Sequence, residues 1–128
     1  MKKILSILFL ILLFNTQEIF AQNDPAYDSI AALNLDYYAS RPVDSLLQML
    51  PQSYKSINLI GSTKSNKIKG LSIFYSSGME VWIAPRNYIH MAATDPNRIW
   101  DLTLFKKEIA SYISVMHPEF NSRWGHHP

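Results

Sequence analysis

Glu80 and His90 are the acid–base pair that this sequence offers for proton transfer. Such a pair acts only if its two side chains come within hydrogen-bond reach, and the pattern around them favours a solvent-facing strand residue and a loop residue. The sequence contains no nucleophile elbow, no His-Glu-x-x-His segment, no phosphate-cradling glycine loop and no cysteine. We therefore predict no catalytic residue. A small secreted hydrolase that uses Glu80 or His90 is one alternative.

Three segments place histidine beside a possible soft ligand or beside another histidine: His90-Met91, Met116-His117 and His126-His127. Imidazole and thioether groups bind copper, and thioether suits Cu(I). Adjacent strand residues point to opposite faces, however, and methionine commonly fills cores. The sequence predicts no metal site and no cofactor, and a copper-binding periplasmic protein is the other alternative.

Aromatic side chains are the stronger candidates for a functional surface. Phe74 and Trp82 lie in two alternating segments, and Tyr88 follows Arg86 just beyond the second one. Trp, Tyr and Arg are enriched at binding hot spots. We predict that Phe74, Trp82, Arg86 and Tyr88 receive a protein segment or a sugar ring. The competing interpretation is that a helix or the tail, through Trp124, covers these rings.

This prediction depends on the register of a hairpin around Ser76-Ser77-Gly78. A two-residue Ser77-Gly78 loop would pair Tyr75 with Glu80 and mix polar with apolar side chains. A three-residue loop puts Gly78 at the left-handed position and forms the apolar pairs Tyr75–Met79, Ile73–Val81 and Leu71–Ile83. Register follows the buried face. We therefore predict the three-residue loop, with Phe74–Glu80 and Ser72–Trp82 on the opposite face.

Aspartate and proline mark the expected helix starts. Asp24-Pro25 predicts a helix over about residues 25–39. A second short helix is predicted between Pro42 and Pro51, because apolar residues recur there at helical spacing: Val43, Leu46, Leu47 and Leu50. Asp95-Pro96 repeats the first signature and predicts a helix to about Lys107.

The remaining segments indicate strands. Alternation predicts a strand near residues 54–61 and a closing strand at 109–116, for which one continuous helix over 96–116 is the alternative. We expect residues 62–67 to form a turn and residues 85–94 to form a loop that could prolong the preceding strand. We predict an α+β fold, with a small antiparallel sheet of about four strands and helices packed mainly on one face. We expect residues 22–118 to form a single domain and residues 119–128 to form a loosely ordered tail.

Residues 1–21 have the three-part pattern of a cleaved signal peptide. Lys2 and Lys3 precede the apolar run Ile4–Phe14, and a polar stretch leads to Ala21, after which we predict cleavage. The run is shorter than the roughly 20 residues that a membrane-spanning helix needs. Without cysteine, no lipid anchor on cysteine and no disulfide can form. The leader is typical of bacterial export and predicts a periplasmic or secreted protein.

Removal of the leader leaves 107 of the 128 residues, with ten basic and nine acidic side chains and a net charge of +1. A nearly neutral domain is not expected to bind nucleic acid, and no transmembrane span is expected in the mature chain. The sequence therefore predicts an exported, non-enzymatic binding or interaction domain of the cell envelope or extracellular space. Its expected partner is a protein or a glycan.

Overall fold

A computed structural model describes residues 24–62, 67–90 and 102–126 of the chain. The predicted leader, most of the turn after residue 62, Met91, the Asp95-Pro96 helix start and His127 lie outside the described residues. The helices are α1 (Pro25–Ala31), α2 (Leu35–Tyr38), α3 (Val43–Leu47) and α4 (Leu102–Lys107). The strands are β1 (Ser56–Ser62), β2 (Lys67–Phe74), β3 (Glu80–Pro85), β4 (Ile89–His90), β5 (Ala110–Met116) and β6 (Arg123–His126).

The strands form one antiparallel sheet in the order β1-β2-β3-β5-β6, with β4 beside β2. The predicted α+β class and the antiparallel sheet are confirmed, although the sheet has more than the expected four strands. The predicted loop over 85–94 contains β4, because Ile89 pairs with Ile68 of β2. None of the helices in these ranges is long and apolar enough to cross a membrane.

The central hairpin has the predicted three-residue loop. Its register pairs Leu71–Ile83, Ser72–Trp82, Ile73–Val81 and Phe74–Glu80. The backbone N–H of Tyr75 donates to the carbonyl of Met79 at 3.0 Å, which closes the loop. Gly78 has a φ of 89°, a left-handed conformation that glycine adopts without the strain of a side chain. Two apolar alternations that must share one face therefore sufficed to determine this register.

The first helical segment differs from the single helix predicted over 25–39. Asp24 caps α1 as expected, by accepting from the backbone N–H of Tyr27 at 3.2 Å. The helix ends at Ala31, and a new cap at Asn34 starts α2, where the Asn34 side chain accepts from the N–H of Tyr37 at 3.4 Å. The asparagine side chain competes with the helical backbone for that donor, and so divides the segment in two.

One buried cluster joins the helices to one side of the sheet, which we call the core face. The core face consists of the alternating apolar residues of β2, β3 and β5: Leu71, Ile73, Val81, Ile83, Ile113 and Val115. The helices contribute Ile30, Leu35, Val43, Leu46 and Phe105 to the same cluster. Burial of this apolar surface supplies the main driving force for folding.

The predicted closing strand is present as β5, and α4 ends before it at Lys107. The single helix over 96–116 is therefore wrong for its C-terminal part. A strand forms here instead of a helix because β5 pairs with β3 along its length, from Glu80–Met116 to Pro85–Ala110. The alternation of Ile113 and Val115 with polar or exposed residues matches that pairing.

The expectation of a loosely ordered tail over 119–128 is corrected by β6. This strand pairs with β5 through Ile113–Gly125 and Ser114–Trp124. Gly125 is buried against the backbone of Leu35 in α2, where a Cβ atom would overlap the helix. Because Gly125 has no side chain, it contributes nothing to an apolar alternation, and the periodicity of the sequence does not reveal this strand.

Candidate binding face

The strand residues that point away from the core face form a second face, which we call the outer face. The register places its central row across the sheet as successive partners: Asn58, Ser72, Trp82, Ser114 and Trp124. On one side of this row lie Ser56, Phe74, Glu80 and Met116. On the other side lie Ile60 and Gly70, followed by Ala84, Tyr112 and His126.

The outer face concentrates the exposed apolar surface of the described residues. Five of their nine well-exposed large hydrophobic side chains lie on it: Ile60, Phe74, Tyr112, Met116 and Trp124. Met116 is 58% and Trp124 60% exposed. Apolar side chains scattered singly over a surface are ordinary, but a contiguous patch typically marks an association site or a ligand-binding surface. The outer face is therefore the leading candidate for a functional surface.

Trp82, at the centre of this face, places its ring over the backbone of the neighbouring strand β2. A Cβ atom at Gly70 would overlap three atoms of the six-membered ring of Trp82: Cζ2, Cη2 and Cε2. Strand side chains generally stand away from the sheet, whereas this ring extends over the β2 backbone, because Gly70 has no side chain there. Trp82 is half-buried as a result, with its inner side against the sheet.

The four predicted binding residues do not form one cluster. Phe74 and Trp82 share the outer face as diagonal neighbours, but the Trp82 ring extends towards Gly70, on the far side of Ser72 from Phe74. Arg86 and Tyr88 lie beyond the other end of β3 and are both exposed. Because β3 is about 17 Å long from Glu80 to Pro85, Arg86 lies a strand's length from Phe74. Whether these residues bind a partner stays a prediction.

Trp124 extends the outer face instead of covering it. It lies two strands from Trp82 in the same row, with Ser114 between them, and its side chain is largely exposed. Tyr112 and Met116 also belong to this face and were not among the predicted residues. The period-two alternation of β5 could have indicated both of them, since it groups Tyr112, Ser114 and Met116 on one side.

Glu80 and His90 are not brought together. Glu80 is opposite Phe74 at one end of β2, and His90 is opposite Lys67 at the other end. Seven residue steps along a strand span about 23 Å, far beyond hydrogen-bond reach. The fold therefore gives no support to a hydrolase that pairs these two residues.

The histidine–methionine pairs do not converge on a metal site in the described parts of the chain. Met116 is exposed on the outer face, whereas the side chain of the adjacent His117 is only 3% exposed. No group of three His, Cys, Asp or Glu side chains among the described residues is arranged to hold a metal ion. Met91 and His127 lie outside those residues.

A second cluster contains the residue types of a serine hydrolase but not its geometry. The cluster consists of Asp24, His117 and Ser77, with the Asp24 carboxylate in the middle. This carboxylate accepts from Nε2 of His117 at 2.8 Å and from the Ser77 hydroxyl. Nδ1 of His117 accepts from the backbone N–H groups of Glu119 (3.0 Å) and Phe120 (3.3 Å). Nε2 must therefore carry the proton that it donates to Asp24. No ring nitrogen is left to take a proton from Ser77, so this cluster links chain segments and cannot act as a triad.

A groove of about 360 Å³ lies between α3, α4 and β1. Its floor includes Leu50 and Ile73, and its rim is polar. The two rim glutamines are already engaged: Gln48 donates to Asp44 at 2.9 Å, and Gln52 donates to the carbonyl of Leu50 at 2.9 Å. Ligand pockets orient their ligands with a few convergent polar groups. Here the two amides already form hydrogen bonds within the chain.

The outer face thus presents five exposed aromatic or apolar side chains on five paired strands, around the buried Ser72 and Ser114 of its central row. Its register is determined by core packing on the opposite side of the same strands. Comparison of the chain with protein-family models, with curated proteins and with solved structures finds no match.

Proposed function

We propose that this chain is an exported, non-enzymatic binding module whose outer face receives a partner in the cell envelope or the extracellular space. The observation that carries the proposal is the concentration of exposed aromatic and apolar side chains on one side of the sheet. Two of these side chains, Met116 and Trp124, are more than half exposed. A surface of this kind loses unfavourable contact with water when a partner covers it.

The arrangement of the helices supports the proposal. Their buried residues belong to the same cluster as the core face. In our proposal the helices pack mainly on that side and leave the outer face to the partner. The sheet then acts as a rigid scaffold, because each outer-face residue alternates with a buried neighbour along its strand.

The composition of the outer face also fits a binding surface. Interface centres are enriched in Trp, Tyr, Phe and Met and depleted of charged residues. The central row, from Asn58 to Trp124, contains no charged residue, and Glu80 is the only acidic residue in the two flanking rows. Recognition here would rest on ring contacts and hydrogen bonds more than on ion pairs.

Export is the other part of the proposal and rests on the leader at residues 1–21. The positive Lys2-Lys3 start, the short apolar run and Ala21 at the predicted cleavage site match a signal peptide. A protein delivered to the envelope or beyond would meet envelope proteins and glycans as its partners.

Capture with paired variants tests the function of the outer face. Protein purified from cells that express the full chain is immobilised, exposed to envelope and medium fractions, and compared with a Trp124→Ala/Met116→Ala variant. The control is Leu104→Ala/Met49→Ala, which removes two apolar side chains of similar exposure that lie outside the strands. We expect recovery of bound protein and glycan to fall about tenfold with the outer-face variant and to stay at the original level with the control.

All four substituted side chains are more than half exposed, so both variants should fold, which circular dichroism can verify. Equal recovery by the parent protein and by the outer-face variant would contradict the proposed role of this face.

A further inference from the structure

We propose that the ligand of the outer face is a neutral, β-linked oligosaccharide whose sugar rings stack on Trp82 and Trp124. This inference rests on the proposed function of that face and specifies the chemical class of its ligand. It follows from the orientation of one ring, the spacing between two rings and the absence of charge between them.

The orientation of Trp82 is the first observation. Three adjacent atoms of its six-membered ring, Cζ2, Cη2 and Cε2, occupy the position that a Cβ atom of Gly70 would take. The ring therefore covers the backbone of β2 instead of standing upright between neighbouring side chains. Trp82 is half-buried, so part of its surface remains accessible for contact. The electron-rich face of an indole attracts groups of positive partial charge, and the C–H groups on a sugar ring's face are of that kind.

The spacing between Trp82 and Trp124 is the second observation. Ser114 pairs with both residues, so their backbones are two strands apart. Neighbouring strands lie about 4.8 Å apart, and the Trp82 ring extends one strand further away, over Gly70 of β2. This ring is therefore three strands, or about 14 Å, from the backbone of Trp124. That separation is about the length of three sugar units in an extended β-linked chain, so one oligosaccharide could contact both tryptophans.

The charge of the surface is the third observation. No charged residue occurs in the row from Asn58 to Trp124, and the acidic Glu80 lies in the next row. Single-stranded nucleic acids also stack on aromatic rings, but their binding sites line the phosphate backbone with positive charge. A neutral sugar needs no such charge. The exposed side chains of Asn58, Tyr112 and His126 provide hydrogen-bonding groups beside the tryptophans for sugar hydroxyls.

A protein partner fits the Trp82 geometry less well. Aromatic anchors at protein interfaces fill pockets on the partner and are themselves deeply embedded in the complex. A half-buried ring placed over Gly70 offers accessible surface for stacking and little side chain to insert. We therefore favour the saccharide and treat a protein partner as an outcome of the experiment.

The test is calorimetric and fluorescence titration of the purified full-chain product with soluble hexasaccharides. Cellohexaose and chitohexaose are the β-1,4-linked probes, and maltohexaose is an α-1,4-linked control of equal length whose chain curves. We expect at least one β-linked probe to bind and shift the tryptophan emission. We expect maltohexaose to bind about tenfold more weakly or not at all.

Two variants connect that binding to the two tryptophans. Trp124→Ala removes an exposed side chain and should weaken binding of the β-linked probe about tenfold. Gly70→Ala should do the same with both tryptophans retained, because the new methyl group lifts the Trp82 ring from the sheet. Tyr37→Ala is the matched control: it removes an exposed aromatic side chain on α2, outside the sheet, and should leave the affinity within about twofold.

The inference is overturned if neither β-linked probe binds at about 1 mM, or if Trp124→Ala binds as tightly as the parent protein. The proposed function survives that result if the Trp124→Ala/Met116→Ala variant still loses a protein partner in the capture experiment. Both proposals fail together if the saccharides do not bind and the capture is unaffected by the outer-face substitutions.

Discussion

Asp24 connects three parts of the chain through one carboxylate. It caps α1 through the N–H of Tyr27 and accepts hydrogen bonds from Nε2 of His117 and from the Ser77 side chain. Burial alone would raise the pKa of Asp24, but these hydrogen bonds together outweigh burial and lower the pKa below its ordinary value of 3.8. The ionised carboxylate therefore stabilises the folded chain.

This lowered pKa predicts how stability changes in acid. Because the folded-state pKa lies below the unfolded value, the stabilisation is complete above the unfolded pKa and is lost as the pH falls through the folded one. Asp24→Asn retains a capping oxygen and removes the titrating group. We expect the free energy of unfolding to fall less in this variant than in the parent protein between about pH 5 and pH 2.

Urea denaturation at a series of pH values measures this difference. Asp28→Asn provides the control, since Asp28 is an exposed acid of the same helix. The interpretation would be refuted if Asp24→Asn and the parent protein lost the same stability on acidification.

At the scale of single elements, β6 ties the C-terminal part of the sheet to the first two helices. The guanidinium of Arg123 donates to the carbonyls of Ile30 (2.8 Å) and Leu33 (3.1 Å), at and just beyond the end of α1. The N–H of His126 donates to Oδ1 of Asp36 in α2 at 3.2 Å. A cation at a helix C-terminus also interacts favourably with the helix dipole.

We expect Arg123→Ala to lower the free energy of unfolding by about 1–3 kcal/mol, because it removes charge-assisted hydrogen bonds to two carbonyls. Arg86→Ala, at an exposed position beyond β3, should change it by less than about 0.5 kcal/mol. Urea denaturation midpoints provide the comparison. A midpoint for Arg123→Ala equal to that of Arg86→Ala would show that these hydrogen bonds add no net stability.

The elements also show what the sequence could predict. The β2–β3 hairpin was predictable to the residue, because two apolar alternations and Gly78 admit one consistent register. The break in the first helical segment was not predictable, because asparagine is unfavourable inside a helix but does not exclude one. The strand β6 depends on Gly125 against α2, a contact between residues far apart in sequence that leaves no periodic signal.

For the molecule as a whole, our proposal assigns stability to one side of the sheet and recognition to the other. The core face contributes to the single buried cluster, and the outer face presents the candidate binding residues. The sequence located Phe74 and Trp82 on that face from the hairpin alone. Alternation groups Tyr112 and Met116 on one side of β5, but their place beside Trp82, and that of Trp124, depends on the strand order β3-β5-β6, which local patterns do not encode.

The export prediction also concerns the whole molecule. In bacterial cells that express the full chain, we expect the protein in the periplasm or the medium, with Gln22 as its first residue. Intact mass and N-terminal sequencing of each fraction measure both properties. A Lys2→Glu/Lys3→Glu variant, with its positive n-region reversed, should remain in the cytoplasm with its leader attached. Cytoplasmic retention of the parent protein with residues 1–21 intact would contradict the prediction.

The docking of β6 has a consequence for the order of folding. The hydrogen bonds that join α1 and α2 to residues 121–126 connect positions 90 to 94 residues apart. Contacts so distant in sequence are formed slowly, because a long loop must close first. The first helices cannot acquire these bonds until β6 has emerged from the ribosome or, in an exported chain, from the translocation channel. A chain that must cross a membrane unfolded would thereby be kept from completing its fold too early.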